Sequence, residues 1–351
     1  MDVKPDHCLR ILFRLLQDSL WLRPRSVPTI DNLTLAAYQE QYEGQLPVVW
    51  RGAYQNLSCL EDGWIEKAVM KPFGKERVVF VGFGKGEERV MSAKLETFLS
   101  HINKNTQEAW SYIQDDHFLR RHPELMWECP PMPAELQKED LFALAPARFA
   151  PQNATLLWGG RFSRSRLHVD NYNWTGTNLV LRGEKFVRLI PPGGHDHHLK
   201  VTIRSCGSAL ECVNYEAAAD LFEGAPQGVP IWEAKLTSGD LLLIPSGWWH
   251  QAVNLGNTLA LASGLITPQS GSWSAVAEVV KYHHKVHPNW TWGRLPSPPA
   301  PKTKLPKDEA TRIFRRFINS LPDGAVKAAE KWHAEARKLR RSHRRSRKVE
   351  L

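Results

Sequence analysis

From about residue 155 the chain reads as short apolar runs divided by glycine, proline and asparagine: ATLLWGG, NLVLRGEKFVRLIPP and VPIWEAKLTSGDLLLIPSGWWHQAVNLGNTLALASGLIT. Many short strands at such spacing predict a β-barrel or sandwich. Upstream, LPVVW (46–50) and RVVFVGFG (77–84) read as strands from their β-branched content. MSAKLETFLSHI (91–102) has helical spacing, with Ser92 placed as its cap. In residues 7–22, Arg14 and Asp18 interrupt the apolar positions. That predicts an amphipathic helix within 1–24 rather than a signal peptide. Beyond residue 276 the pattern turns helical. LPSPPAPKTKLPKDEA (295–310) is a proline-rich linker expected to be semi-extended. ATRIFRRFINSL and AVKAAEKWHAEARKLRR predict two helices around the turn LPDG. The expected organisation is therefore a helix (1–24), a main domain (25–290), the linker (295–310), a helical segment (311–336) and a tail (337–351), without internal repeats.

Composition narrows the class. With 42% hydrophobic residues and 14 tryptophans in 351 residues, there is ample material for a large core. No apolar run reaches the roughly 18–20 residues that span a bilayer, so no membrane partner is expected. The five cysteines (Cys8, Cys59, Cys129, Cys206, Cys212) are odd in number and form no Cys-x-x-Cys pair. This predicts a reducing compartment and argues against a disulfide scaffold or a zinc knuckle. The net charge of +9 is uneven. Residues 325–351 hold ten Lys/Arg against three Glu, a net of +7 that leaves only +2 for the rest. The body is nearly neutral and the tail is basic.

The chemistry centres on RLHVDNYNWTGTNLVLRGEKFVRLIPP (166–192), where His168 and Asp170 stand one residue apart in a strand-like run. At a period of two, both side chains share one face. Two polar, metal-capable groups on a buried face need a third partner. His250, in SGDLLLIPSGWWHQAVNL, supplies it 82 residues later. Two histidines and one carboxylate match the facial triad of non-haem Fe(II) oxygenases, in which three protein ligands leave open positions for cosubstrate and oxygen. A bare His-x-Asp is common by chance; its company gives it weight. GEKFVRLIPP places Lys185 on the next strand, where an ammonium can pair with an acid cosubstrate. Arg182 and Arg188 stand an odd number of residues from Lys185 and so share the opposite face.

At these residues the sequence resembles the JmjC-domain 2-oxoglutarate oxygenases, and within them the phosphatidylserine-receptor group of protein hydroxylases and demethylases. That group has an Asn ten residues and a Lys seventeen residues after its first ligand histidine, where this chain has Asn178 and Lys185. WSYIQDDHFLRRHPELMWECPPMP, followed by DLF, is similar to the segment preceding the family's barrel, whose cosubstrate-contacting Tyr falls at Tyr112. LPVVWRGAY is similar to an early family strand. The resemblance covers about residues 25–290. It implies a mainly β fold with flanking helices, a double-stranded β-helix of the cupin or jelly-roll type. It implies that His168, Asp170 and His250 bind Fe(II), and that Lys185 binds the distal carboxylate of 2-oxoglutarate with help from Tyr112 and Asn178. Ser165 stands where the family usually has a Thr, and is expected near the cosubstrate. The chain departs from the family after the distal histidine: Ala262, Ser263 and Gly264 occupy the region where a hydroxyl residue and then an Asn are common. Ser263 can stand in if the register shifts by one.

Other tempting features are read more plainly. HDHHL (195–199) is expected in an exposed loop, and YHHKVH (282–287) at a helix end. Cys206 and Cys212 are weak as ligands. Of Trp248 and Trp249, one is expected in the core and the other at the substrate entrance. The function implied is an Fe(II)- and 2-oxoglutarate-dependent dioxygenase acting on a protein side chain, with lysyl hydroxylation favoured over demethylation. The alternative is a JmjC-fold binding scaffold working through its basic tail on nucleic acid or chromatin. That tail predicts RNA or DNA contact and a nuclear location, with the cytoplasm as the alternative. The C-terminal helices, with Ile313, Phe314 and Phe317 at helical spacing, offer a homodimer contact.

Overall fold

Strands whose apolar residues do not alternate need cover on both faces, and runs such as LLLI (241–244), buried at every position, have it. The computed structural model describes residues 23–54, 57–140, 154–170, 174–205, 213–224 and 226–267. The linker, the C-terminal helical segment, the basic tail, YHHKVH, Cys8, Cys206, Cys212 and all but the last residues of the N-terminal helix lie outside the described residues. Strands numbered in chain order form two sheets. The smaller runs β1 (Arg25–Ser26), β13 (Trp232–Thr237), β10 (Glu184–Ile190), β15 (Trp249–Asn254), β8 (Leu167–Val169), β12 (Val213–Ala217), β11 (Val201–Ser205). The larger runs β2 (Thr29–Asp31), β3 (Val48–Arg51), β14 (Leu241–Ile244), β9 (Thr175–Arg182), β16 (Thr258–Leu265), β7 (Thr155–Gly159), β6 (Ala109–Asp115), β4 (Arg77–Gly84), β5 (Glu87–Lys94). Pairing is antiparallel except at β1–β13 and β2–β3.

The sheets face one another across a core that draws on both. Val49, Tyr112, Leu157, Val180, Leu242 and Ala260 come from the larger sheet, and Val187, Leu189, Ala234, Leu236 and Ala252 from the smaller. Alternate residues of the larger sheet (Leu156, Trp158, Leu179, Leu181, Leu259, Leu261) point outward, where Tyr38, Val69, Phe98, Phe118, Leu125 and Leu136 from helical segments cover them. A third cluster, including Leu167, Ile190, Leu199 and Trp249, backs the smaller sheet. This is the mainly β double-stranded β-helix with flanking helices that the resemblance implied.

Several expectations change. Ser92 lies in β5, not at a helix start; its Oγ accepts from Arg77 Nε at 3.1 Å, and the helix runs Leu95–His101 after Lys94. Pairing of β5 with β4 extends the strand past the serine. HDHHL contains a helical turn, Asp196–Leu199, with His197 and His198 exposed but Leu199 buried in the third cluster. Cys59 and Cys129, 70 residues apart, form a disulfide with Cα atoms 5.7 Å apart. Cysteine spacing carried no sign of it, because only the tertiary packing of the outer helices brings the two together.

Candidate metal and cosubstrate site

Antiparallel register builds the site. His250 on β15 is the direct cross-strand partner of His168 on β8, and its other neighbour is Leu189 on β10. Asp170, two residues after His168, shares its face. His168 Nε2 lies 3.7 Å and His250 Nε2 3.6 Å from Asp170 Oδ1, and the three ligand atoms fall within 4.8 Å of one another. Among the described residues this is the one His/Asp/Glu/Cys group so arranged. Backbone carbonyls set the tautomers: His168 Nδ1 donates to Arg166 O at 2.8 Å and His250 Nδ1 to Trp248 O at 3.2 Å. A carbonyl can only accept, so each Nδ1 carries the proton and each Nε2 presents a lone pair to the centre. Burial, with His168 beside it, pushes His250 down to about 4, which keeps its imidazole neutral.

The segment before β8 is locked to β15, with an isolated antiparallel bridge between Arg164 and Val253. Ser165 N donates to Ala252 O and Ala252 N to Ser165 Oγ, at 3.0 and 3.1 Å. Buried Gln251 donates to Ser165 O at 3.0 Å and accepts from Leu221 N at 2.7 Å. Ser165 therefore borders the cavity with its oxygen engaged and its proton still able to donate.

Lys185, on β10, is 1% exposed. Its Nζ donates to Tyr112 Oη at 3.1 Å and to Asn178 Oδ1 at 3.5 Å, so the structure brings these three expected residues together. Among the described residues no carboxylate pairs with it, and burial alone pushes its ammonium down to about 7. Burial raises the Tyr112 hydroxyl well above its usual range. Tyr112 thus stays protonated and can donate to a second oxygen. Arg188, three residues along β10, turns outward to Glu233 at 2.8 Å as strand parity required. Arg182 lies exposed near Asp62, but it ends β9 in the other sheet, so parity with Lys185 along one strand does not place it.

One cavity of about 570 Å³ joins the cluster to Lys185, Tyr112, Asn178 and Ser165. Of the residues that line it, Arg166 bridges Glu88 and Glu216, and Arg164 pairs with Asp220 and Glu223. Trp248 and Trp249 both lie in cores, 4% and 6% exposed; neither borders the cavity, which corrects the expected entrance role. Ala262 is the cross-strand partner of Asn178 and lies with Ala260 on the inner face. Ser263 also borders the cavity, but alternation pairs its face with Leu261 and Leu265. No register shift substitutes it for Ala262. Sequence reasoning did not reach Trp174, Thr155 and Gln114, which also line the cavity. All three fall inside the quoted stretches, but no spacing singled them out, and only the folded register places them at the cavity.

The donor set and the unpaired ammonium fit the two groups that the fold family implies. Two neutral imidazoles and a carboxylate suit a divalent transition metal. A desolvated cation without a counter-charge suits a carboxylate ligand.

A mainly antiparallel double sheet enclosing such a cluster defines a cupin-type protein of the JmjC kind. The chain belongs to the cupin-like domain family, whose profile matches residues 34–263. It is similar to a lysine-specific demethylase of Arabidopsis thaliana, 25% identical over 265 residues, covering 72% of this chain and 27% of that protein. A bifunctional arginine demethylase and lysyl-hydroxylase of Caenorhabditis elegans is 24% identical, covering 67% of this chain and 60% of that protein. An arginine-specific demethylase of Arabidopsis thaliana is 24% identical, covering 76% and 50%. The chain thus spans less than two thirds of the length of these relatives.

Proposed function

We propose that this protein is an Fe(II)- and 2-oxoglutarate-dependent dioxygenase that hydroxylates a protein side chain, with lysyl hydroxylation favoured and demethylation as the second outcome. The observation that carries the reading is the buried, uncompensated Lys185 ammonium in the same cavity as the His–Asp–His cluster. His168, Asp170 and His250 would hold the metal. Lys185 and Tyr112 would bind the distal carboxylate of 2-oxoglutarate, with Asn178 holding the lysine and Ser165 offering a further donor. The metal and cosubstrate, when bound, supply oxygen activation coupled to decarboxylation of 2-oxoglutarate to succinate. The chain's own part is positional. Carbonyl-held imidazoles aim their lone pairs, the lysine fixes one end of the cosubstrate, and the apolar walls of Leu157, Ile244, Ala252 and Ala262 keep water from the reacting face.

The relatives' printed activities support a protein substrate, either lysyl or arginyl. Nuclear location, nucleic-acid contact by residues 337–351 and self-association through 311–336 belong to the same proposal and rest on sequence. The test is succinate formation from 2-oxoglutarate with added Fe(II), together with a search for peptides about 16 mass units heavier in cells that hold the protein. Wild type should form succinate, and Asp170→Ala should form none while retaining its circular dichroism spectrum. Equal succinate formation by both would remove the metal assignment. No succinate from wild type with any protein extract would favour the scaffold alternative.

A further inference from the structure

Gly176 on β9 and Gly264 on β16 are direct cross-strand partners. Glycine weakens a strand interior, so two opposite one another need a reason. Backbone freedom is not that reason, since neither has a positive φ. Space is. A Cβ built on Gly176 would lie 1.9 Å from Asp170 Oδ2, and one built on Gly264 would lie 2.2 Å from the Trp174 ring. The paired glycines form a notch in the larger sheet. It receives the carboxylate of Asp170 from the smaller sheet's side, and beside it the indole of Trp174, the residue that leads into β9.

We infer that Gly176 is a positioning residue for Asp170, and that Gly264 leaves room for the Trp174 ring beside it. This rests on the reading of Asp170 as a metal ligand and adds what fixes its geometry. Oδ1 faces the two histidines while Oδ2 rests over the bare Cα of Gly176. The carboxylate end can swing away from an added methyl, but both oxygens then move, and Oδ1 leaves the position equidistant from the imidazoles. A single methyl group on a neighbouring strand would thus act on coordination without touching a ligand. The same notch bears on the chain's departure after the distal histidine. With Trp174 lying over residue 264, any side chain there would collide with the indole.

The test uses the full chain in four forms: wild type, Gly176→Ala, Asp170→Ala and the double variant. Mn(II) binding is measured by calorimetry, and melting temperature is measured without metal. Gly176→Ala should bind Mn(II) about 10–100-fold more weakly, the range for losing a group that orients a ligand. It should lower the melting temperature when Asp170 is present. In the Asp170→Ala background the same substitution should cause no loss, because the methyl then has room and alanine suits a strand better than glycine. Wild-type Mn(II) affinity in Gly176→Ala, or an equal loss of melting temperature in both backgrounds, would overturn the inference. Should Gly176→Ala not fold, folding of the double variant supports the notch and its failure to fold refutes it. A wild type that binds no Mn(II) would instead count against the metal reading, while the melting cycle still reports on the notch.

Discussion

A lysine at 1% exposure whose partners among the described residues are a phenol and an amide is poised for an anion. Its ammonium titrates near 7, because burial disfavours the charge, whereas the unfolded chain holds the proton to about 10.5. The sign follows. Between those values the unfolded state binds more protons than the native state, so this group makes the ligand-free protein more stable as pH rises from about 7 towards 10.5. Bound carboxylate reverses the preference and draws a proton onto Nζ. Binding of 2-oxoglutarate at pH 8 should therefore be accompanied by proton uptake, read as a dependence of calorimetric enthalpy on buffer. Lys185→Ala should abolish the uptake. It should also raise the Michaelis constant for 2-oxoglutarate roughly tenfold to a hundredfold, since a hydrogen bond to a charged group contributes about 1.5–3 kcal/mol. An unchanged constant would move the anchor elsewhere. The residue scale was the most legible in the sequence: strand spacing brought out His168, Asp170, His250 and Lys185 as candidates, and the family resemblance added Tyr112 and Asn178. Gly176 was not legible, because its significance lies in an atom it lacks and in a neighbour supplied by the fold.

At the scale of elements, strands declared themselves where local content and tertiary role agree. Arg77–Gly84 matches its apolar run from end to end. The β5 strand did not, because its core-poor, exposed residues read as the start of a helix until β4 pairs with them. The glycine–aspartate turn before β14 shows how a local signal becomes long-range structure. Gly239 takes φ +87°, which only glycine adopts readily, and Asp240 is 1% exposed. The Asp240 carboxylate accepts from Thr237 N at 2.8 Å, Thr237 Oγ1 at 2.9 Å and Gly52 N at 3.2 Å, and meets Arg51 at 3.3 Å. It therefore ties the β13–β14 turn to the loop after β3. Asp240→Ala strands the two backbone donors and should lower stability by about 1.5–3 kcal/mol in urea unfolding, the range for hydrogen bonds to a charged group. Because Asp240 does not border the cavity, the Michaelis constant for 2-oxoglutarate should remain unchanged. A loss under 0.5 kcal/mol, the usual effect of a neutral surface change, would show that water replaces these contacts.

Whole-molecule organisation was legible only in part. The texture of short strands announced a double sheet, but the parallel pairing of Arg25–Ser26 with Trp232–Glu233 and the Cys59–Cys129 link join residues too distant for any local pattern to expose. Charge, in contrast, is a property of sequence alone, and it divides the molecule. Residues 337–348 concentrate eight Lys/Arg with no acid among them and no apolar periodicity that calls for packing. Two arginines that line the cavity, Arg164 and Arg166, are paired with carboxylates. Chemistry and nucleic-acid affinity should accordingly separate. Deleting residues 337–351 should leave 2-oxoglutarate turnover without a protein substrate unchanged, since every proposed ligand lies between Tyr112 and His250. The same deletion should weaken RNA or DNA binding and flatten its salt dependence, because each phosphate contact contributes about 0.7–0.9 to the log–log slope. Nuclear accumulation of the truncated chain should fall as well. A truncated protein that stays nuclear and binds nucleic acid with the same slope would end the assignment of those functions to the tail. One that loses turnover would show instead that the tail folds back onto the domain that carries the proposed ligands.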